Sequence, residues 1–311
     1  MVDPMTFLTQ LYVMVDDFCQ SHLPAEHHPG PDAALCRSEV VTLALWAQWA
    51  RFASERDFYR WARRHLQAAF ARLPDRTQFN RACAHQQAAL VAFFRYLTQQ
   101  LAVHKATYEV LDSLAVATRN VRRRGRGWLW GQAALGHSNR LGWYEGLQLL
   151  LAATPEGVGT GFGVAPGNIR DQPLAETFFA LRQQPEPLLP SVGAPASGSY
   201  VADKGFYGRH QHAQWRERYG VTMVCAPQRH SRDQPHPWPK EWRRWLAGLR
   251  QIVESVNEKL LHWLRLERER PHRLTGLLTR LAAKMALHNF CIWLNQQLGR
   301  PSLAFADLIA W

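Results

Sequence analysis

From residue 107 onward the apolar pattern of this chain alternates between two periods, and that alternation restricts its fold more than any other feature. Up to about residue 100 the hydrophobic side chains recur at three and four positions. Phe7, Leu11, Met14, Val15 and Phe18 do so, as do Val40, Val41, Leu43, Ala44, Trp46 and Ala47, the spacing of amphipathic helices. Ser38 is the expected opening of the second helix, and Leu73-Pro74-Asp75 breaks the run before another. Then β-branched and aromatic segments take over. A strand is expected from Thr107 to Leu111, ending in Asp112 and Ser113. Two more are expected over 143–153 and 158–165, joined by the short loop Thr154-Pro155-Glu156-Gly157. A helix follows to about Gln183, with Asp171 as its N-cap. Next come a strand over Ser199–Ala202 that delivers Asp203, a helix over 207–219 and a strand over 221–225. A long helix over 241–269, stopped by Pro271, and a last one over 274–298 complete the order. Strands interleaved with helices after an early hairpin predict an α/β protein with helices on both faces of a mixed sheet. Three regions are expected: a small all-helical N-terminal domain over 1–103, an α/β domain over 104–300 and a tail over 301–311.

Charge narrows the partner. The chain carries a formal net charge of +12, with 37 Lys and Arg against 25 Asp and Glu. Residues 209–300 alone hold 17 basic and 7 acidic side chains, so nearly all the excess sits in the C-terminal third. Such a concentration predicts a polyanionic partner, most simply nucleic acid. No apolar stretch approaches the roughly 20 residues that span a bilayer. Met1 to Gln20 carries Asp3, Asp16 and Asp17 and no basic residue, unlike the start of a secretion signal, so a cytoplasmic location is expected. The five cysteines are scattered and contain no Cys-x-x-Cys pair, which predicts free thiols. No Gly-x-x-x-x-Gly-Lys-Ser/Thr loop is present, so no nucleotide cofactor is expected.

Three acids are candidates for chemistry. Asp112 and Asp203 each follow an expected strand, and carboxylates at the ends of neighbouring strands can converge on one sheet edge. Glu254 lies on the long basic helix, at the flank of its apolar stripe. Taken singly, each has an ordinary alternative: a turn-forming aspartate, or an exposed i,i+4 pair of Arg250 with Glu254. Taken together, three hard carboxylates suit Mg²⁺ or Mn²⁺, and two such ions about 3.5–4 Å apart support an in-line phosphoryl displacement.

In their order and context these residues resemble a known family. Asp112, then Asp203 in Asp203-Lys204-Gly205-Phe206, then Glu254 in Arg250-Gln251-Ile252-Val253-Glu254, resemble the Asp-Asp-Glu (DDE) transposases of bacterial insertion sequences, most closely the insertion sequence 982 family. Residues 12–18, Leu73 to Arg81, and Gly167-Asn168 with Asp171 extend the similarity over roughly residues 6–295. The chain departs from that pattern at Gln148, Leu150, Ala247 and Leu261.

The resemblance implies an RNase H-like catalytic core that cleaves DNA at the ends of a mobile element and joins the freed strand to target DNA. It implies that Asp112, Asp203 and Glu254 hold Mg²⁺ or Mn²⁺, in two ions, and that the protein works as a homodimer on double-stranded DNA. The N-terminal helices would then bind element ends or serve dimerisation. Phosphate contacts are expected from Arg122, Arg123, Arg124 and Arg126, from Lys204, Arg229, Arg232, Lys240, Arg243 and Arg244, and from Arg250. Two alternatives stay open at this point. One is a catalytically inactive DNA-binding protein of transposase descent, which the departures favour. The other is a stand-alone RNase H-like nuclease.

Overall fold

The computed structural model describes residues 1–311 except 27–32, 71, 120–128, 185–197, 228–237 and 271. The first hundred residues form helices whose ends are set by local capping. Helix α1 (Pro4–His22) begins behind Asp3, whose carboxylate accepts from the Met5 and Thr6 amides at 3.0 Å each. It buries Phe7, Leu11, Val15 and Phe18 of the expected stripe together with Leu8, while Met14 is half-buried. Helix α2 (Arg37–Trp46) starts ahead of the expected Ser38. Cys36 occupies its cap, with the Cys36 amide donating to Glu39 Oε2 at 2.8 Å. Helices α3 (Glu55–His65), α4 (Arg76–His85) and α5 (Gln87–Gln100) follow, and Ser54 and Asp75 cap α3 and α4.

The sheet contains β1 (Glu109–Arg119), β2 (Ala134–Ser138), β3 (Gly142–Ala153), β4 (Gly159–Pro166), β5 (Ser199–Ala202) and β6 (Thr222–Val224). Helix α6 (Asp171–Arg182) leads from β4 to β5, and α7 (Arg209–Tyr219) from β5 to β6. Strand β1 is central. It pairs antiparallel with β3 on one side and parallel with β5 on the other, and β5 pairs parallel with β6. The far edge of β3 is shared, residues 142–146 pairing with β2 and 147–153 with β4. The hairpin between β3 and β4 closes at Gly157, whose φ of +85° suits glycine.

Side-chain alternation along the strands separates two cores. Leu111, Leu150, Ala152, Tyr200 and Ala202 meet Leu174, Phe178, Phe179 and Trp215 of α6 and α7. Val110, Leu114, Leu149, Leu151 and Val201 face the other way, toward Val253 and Val256 of α8 (Lys240–Glu258) and Leu281, Met285 and Phe290 of α9 (Leu274–Gln297). The expectation of an α/β chain with a mixed sheet covered on both faces therefore holds.

Three details differ from the sequence expectation. Strand β1 runs on to residue 119, so Asp112 stands inside it rather than at its end. Strand β2 was not expected. The long helix stops at Glu258, much earlier than 269, because the chain leaves it through a π turn (Lys259–Trp263) and a left-handed Arg265 at φ +60°. Buried Arg265 locks that exit by donating to the carbonyls of Phe52 at 2.7 Å and Ala47 at 3.2 Å. The expected boundary at 103/104 lies at a 3-10 turn (Val103–Lys105), and one apolar core runs through α1, α2, α5, α8 and α9. The helices on either side of that boundary cover one another's apolar faces. The tail packs as well: Val2 bridges Ile309, and Phe305 and Leu308 are buried. Among the described residues no helix is long and apolar enough to cross a membrane.

Candidate active site

Parallel pairing of β1 and β5 brings two of the expected acids together. Val110 is in register with Val201 and Leu111 with Ala202, so the next residue on each chain, Asp112 and Asp203, stands at the point where β5 stops. Asp203 turns its carboxylate back on the chain as a cap, accepting from the Gly205 amide at 2.7 Å. Burial, chiefly, together with the charge of Asp203 pushes the Asp112 carboxyl up to about 6, against the opposing pull of Arg250.

Helix α8 lies over this pair and supplies the groups that touch Asp112. Arg250 Nη2 donates to Oδ1 at 3.2 Å and Asn257 Nδ2 to Oδ2 at 2.9 Å. Glu254 falls between them in the i, i+4, i+7 series 250, 254, 257, which lies along one side of a helix. Its side chain is exposed, and no hydrogen bond or ion pair joins it to Asp112 or Asp203 among the described residues. The same helix carries Lys240, Arg243 and Arg244 on its exposed first turns, together with exposed Trp242 and Trp245. Lys204, beside Asp203, is also exposed. Arg122, Arg123, Arg124, Arg126, Arg229 and Arg232 lie outside the described residues.

A further carboxylate joins the pair from the other face of the sheet. Alternation along β1 sends Asp112 toward α8 and Ser113 toward α6. There Ser113 Oγ donates to Asp171 Oδ1 at 2.6 Å, Gln148 Nε2 donates to Ser113 Oγ at 2.9 Å, and Tyr144 Oη donates to Gln148 Oε1 at 2.8 Å. Asp171 is the first residue of α6, with Arg170 in the cap position, so it does not serve as the expected N-cap. Burial raises the Asp171 carboxyl, the Ser113 hydrogen bond lowers it, and Asp203 raises it again. Gly205 is wedged between the two aspartates: a Cβ there would lie 2.2 Å from Asp171 Oδ2 and 2.9 Å from Asp203 Oδ1.

Neither Asn257 nor Asp171 was singled out as a functional residue from the sequence. The signals available were the seven-residue interval from Arg250 to Asn257 and the Ser113 hydroxyl adjoining Asp112. Gln148, a departure from the family pattern, holds the Ser113–Asp171 link. Leu150 is buried in the core beneath α6, Leu261 is buried and Ala247 is exposed.

The donor set suits a hard cation. Asp112 and Asp203 repel one another behind partial burial, and the buried Asn257 Oδ1 has no hydrogen-bond partner. Among the described residues, however, no group of three or more His, Cys, Asp and Glu side chains is gathered in a metal-holding arrangement. Asp203 acts electrostatically on both Asp112 and Asp171, and Glu254 does not close a cluster with Asp112 and Asp203.

Comparison with protein-family models finds no match, and neither does comparison with curated proteins. Among solved structures the chain has a similarity to the Mos1 transposase paired-end complex with left transposon end. The alignment covers 80% of this chain and 83% of that one at 10% identity, with a TM-score of 0.24. A superposition that loose transfers neither fold nor residue roles.

Proposed function

We propose that this protein is a DNA transposase of the DDE type, acting on the ends of an insertion sequence and on target DNA as a homodimer. The observation that carries the reading is the register of β1 and β5, which sets Asp112 beside Asp203 under a basic helix presenting Arg250, Glu254 and Asn257. A sheet with an antiparallel half (β1, β3, β4) and a parallel half (β1, β5, β6) supports an RNase H-like core.

In this reading Asp112, Asp203 and Glu254 would hold Mg²⁺ or Mn²⁺, which would supply positive charge to the phosphate and make a water easier to ionise. Arg250 then orients the Asp112 carboxylate, a task it shares with Asn257. Water adds its oxygen to phosphorus as the bond to the 3′ oxygen breaks, leaving a 5′-phosphate and a 3′-hydroxyl. That hydroxyl next attacks a phosphate of the target and displaces the target's own 3′ oxygen. Lys204, Lys240, Arg243 and Arg244 contact the DNA backbone around the reacting strand, as do Arg122, Arg123, Arg124, Arg126, Arg229 and Arg232.

Incubation with Mg²⁺ or Mn²⁺ and DNA bearing the element's own ends should yield end-specific nicks and joined strands. The Asp112→Asn and Asp203→Asn proteins should yield neither. Unimpaired cleavage by Asp112→Asn would sink the reading. Salt-dependent DNA binding without nicking would leave an inactive binder of transposase descent, a state favoured by the way Arg250 and Asn257 already engage both oxygens of Asp112. Cutting without end preference would leave a stand-alone nuclease.

A further inference from the structure

Away from the acids, a cleft of about 940 Å³ opens between α3 and α4 on one side and residues 265–270 and 272–280 on the other. Arg56 comes from α3, Arg76 and Arg81 from α4, and Arg268, Arg270 and Arg273 from the chain leading into α9. Its acids are Glu55 and Glu269, and both are already engaged. Glu55 meets Arg76 at 3.5 Å and Asn80 at 2.6 Å. Buried Glu269 meets Arg280 at 2.6 Å and Lys284 at 2.8 Å. That leaves Arg56, Arg81, Arg268 and Arg273 exposed, their side chains without a hydrogen bond or ion pair among the described residues.

We propose that this cleft holds the phosphate backbone of duplex DNA. Four guanidiniums free of ion pairs, from three separate stretches of chain, converge on one concavity, which raises the local potential for a polyanion. A surface that merely solvates its charges has no need to gather them so. The volume exceeds what one small anion would fill, so a run of phosphates suits the cleft better than a single one.

The cleft is also tied to the acid pair. Arg140 donates to the Ala115 carbonyl of β1 at 2.6 Å and to Glu267, next to Arg268, at 2.9 Å. Ala115 lies three positions, or ~10 Å, along β1 from Asp112. One helical turn of duplex, about 34 Å, therefore reaches from the acids to the cleft. The proposal rests on the reading of the protein as one that handles DNA, but it concerns binding rather than cleavage.

The test measures affinity of the full chain for a duplex of about 30 base pairs, three helical turns, across a salt series with EDTA and no divalent cation. Arg268→Gln with Arg273→Gln should lower affinity by about tenfold or more and reduce the salt slope by about two, one for each phosphate that is no longer neutralised. The thermal midpoint should stay put, since neither side chain has a hydrogen bond or ion pair among the described residues. Arg209→Gln with Arg216→Gln, on exposed positions of α7, removes the same charge elsewhere and should leave the slope unchanged. An unchanged slope in the first double variant, or an equal drop in both, would overturn the proposal. Because no metal is present, that failure is distinct from a failure to cleave, which would touch the catalytic reading alone.

Discussion

Asp112 and Asp203, 91 positions apart in the chain, are neighbours because Leu111 and Ala202 are register partners on parallel strands. Where β5 ends and β1 continues, two carboxylates meet with Arg250 and Asn257 on only one of them. Burial raises the Asp112 carboxyl most, and the charge of Asp203 raises it further.

It follows that relieving the repulsion should stabilise the metal-free protein while ending catalysis. Asp203→Asn keeps the cap on Gly205, because Asn caps as well as Asp, and removes the like charge. Unfolding by urea without divalent cations should show a gain of up to about 1 kcal/mol. End cleavage by the same protein should be lost. A destabilised Asp203→Asn would contradict the account of the site.

Two glycines should respond in opposite ways to alanine. Gly205→Ala drives a methyl into the Asp171 and Asp203 carboxylates, so cleavage should fall steeply. Gly248→Ala, on α8 with nothing within 4 Å of the added carbon, should raise stability by about 0.5–1 kcal/mol. Thermal melts and cleavage assays on the two proteins check both halves.

The buried pair beside β5 should be costly to halve. Arg182 donates to Glu109 at 2.8 and 3.1 Å and to Tyr200 Oη at 2.9 Å, with the guanidinium also lying over the Phe178 ring. Arg182→Met leaves the Glu109 charge without a counter-ion in the core, with only the Thr160 hydroxyl still donating to it, and should cost about 3–5 kcal/mol in urea unfolding. The double variant that also carries Glu109→Gln should recover part of that loss.

Acid should loosen the α9–hairpin contact. His288 is buried against the Gly157 carbonyl at 2.9 Å, and burial holds its ring down at about 4, below the ordinary 6.5. With the folded value below the unfolded one, the unfolded chain takes up the proton first. Stability from this group is thus complete above about 6.5 and lost as pH falls toward 4. Unfolding free energies at pH 7 and 4.5 should differ in that direction, and His288→Asn should flatten the difference.

Much of the fold was legible locally. Periods of 3.6 and 2 marked most helices and strands within a few residues, and Pro and Gly marked their ends. Strand β2 escaped because Ala134 to Ser138 lacks β-branched residues and is held as an edge by pairing with β3. Helix α8 is shorter than its pattern implies because the apolar stripe continues through Leu260 and Leu264 after the backbone has left the helix.

The chain by itself determined the order of elements, the concentration of positive charge near its C-terminus and the candidacy of Asp112, Asp203 and Glu254, because propensity, periodicity and composition are properties of neighbouring residues. Only the tertiary structure decided the rest. It placed Asp112 against Asp203, brought Asp171 through Ser113 to the same corner, turned Asn257 rather than Glu254 onto Asp112, merged the first helices with α9 in one core and gathered arginines from three segments into a cleft. Strand register and helix docking join residues from 58 to 145 positions apart, and they are set by which apolar faces bury each other, a choice that no local window contains.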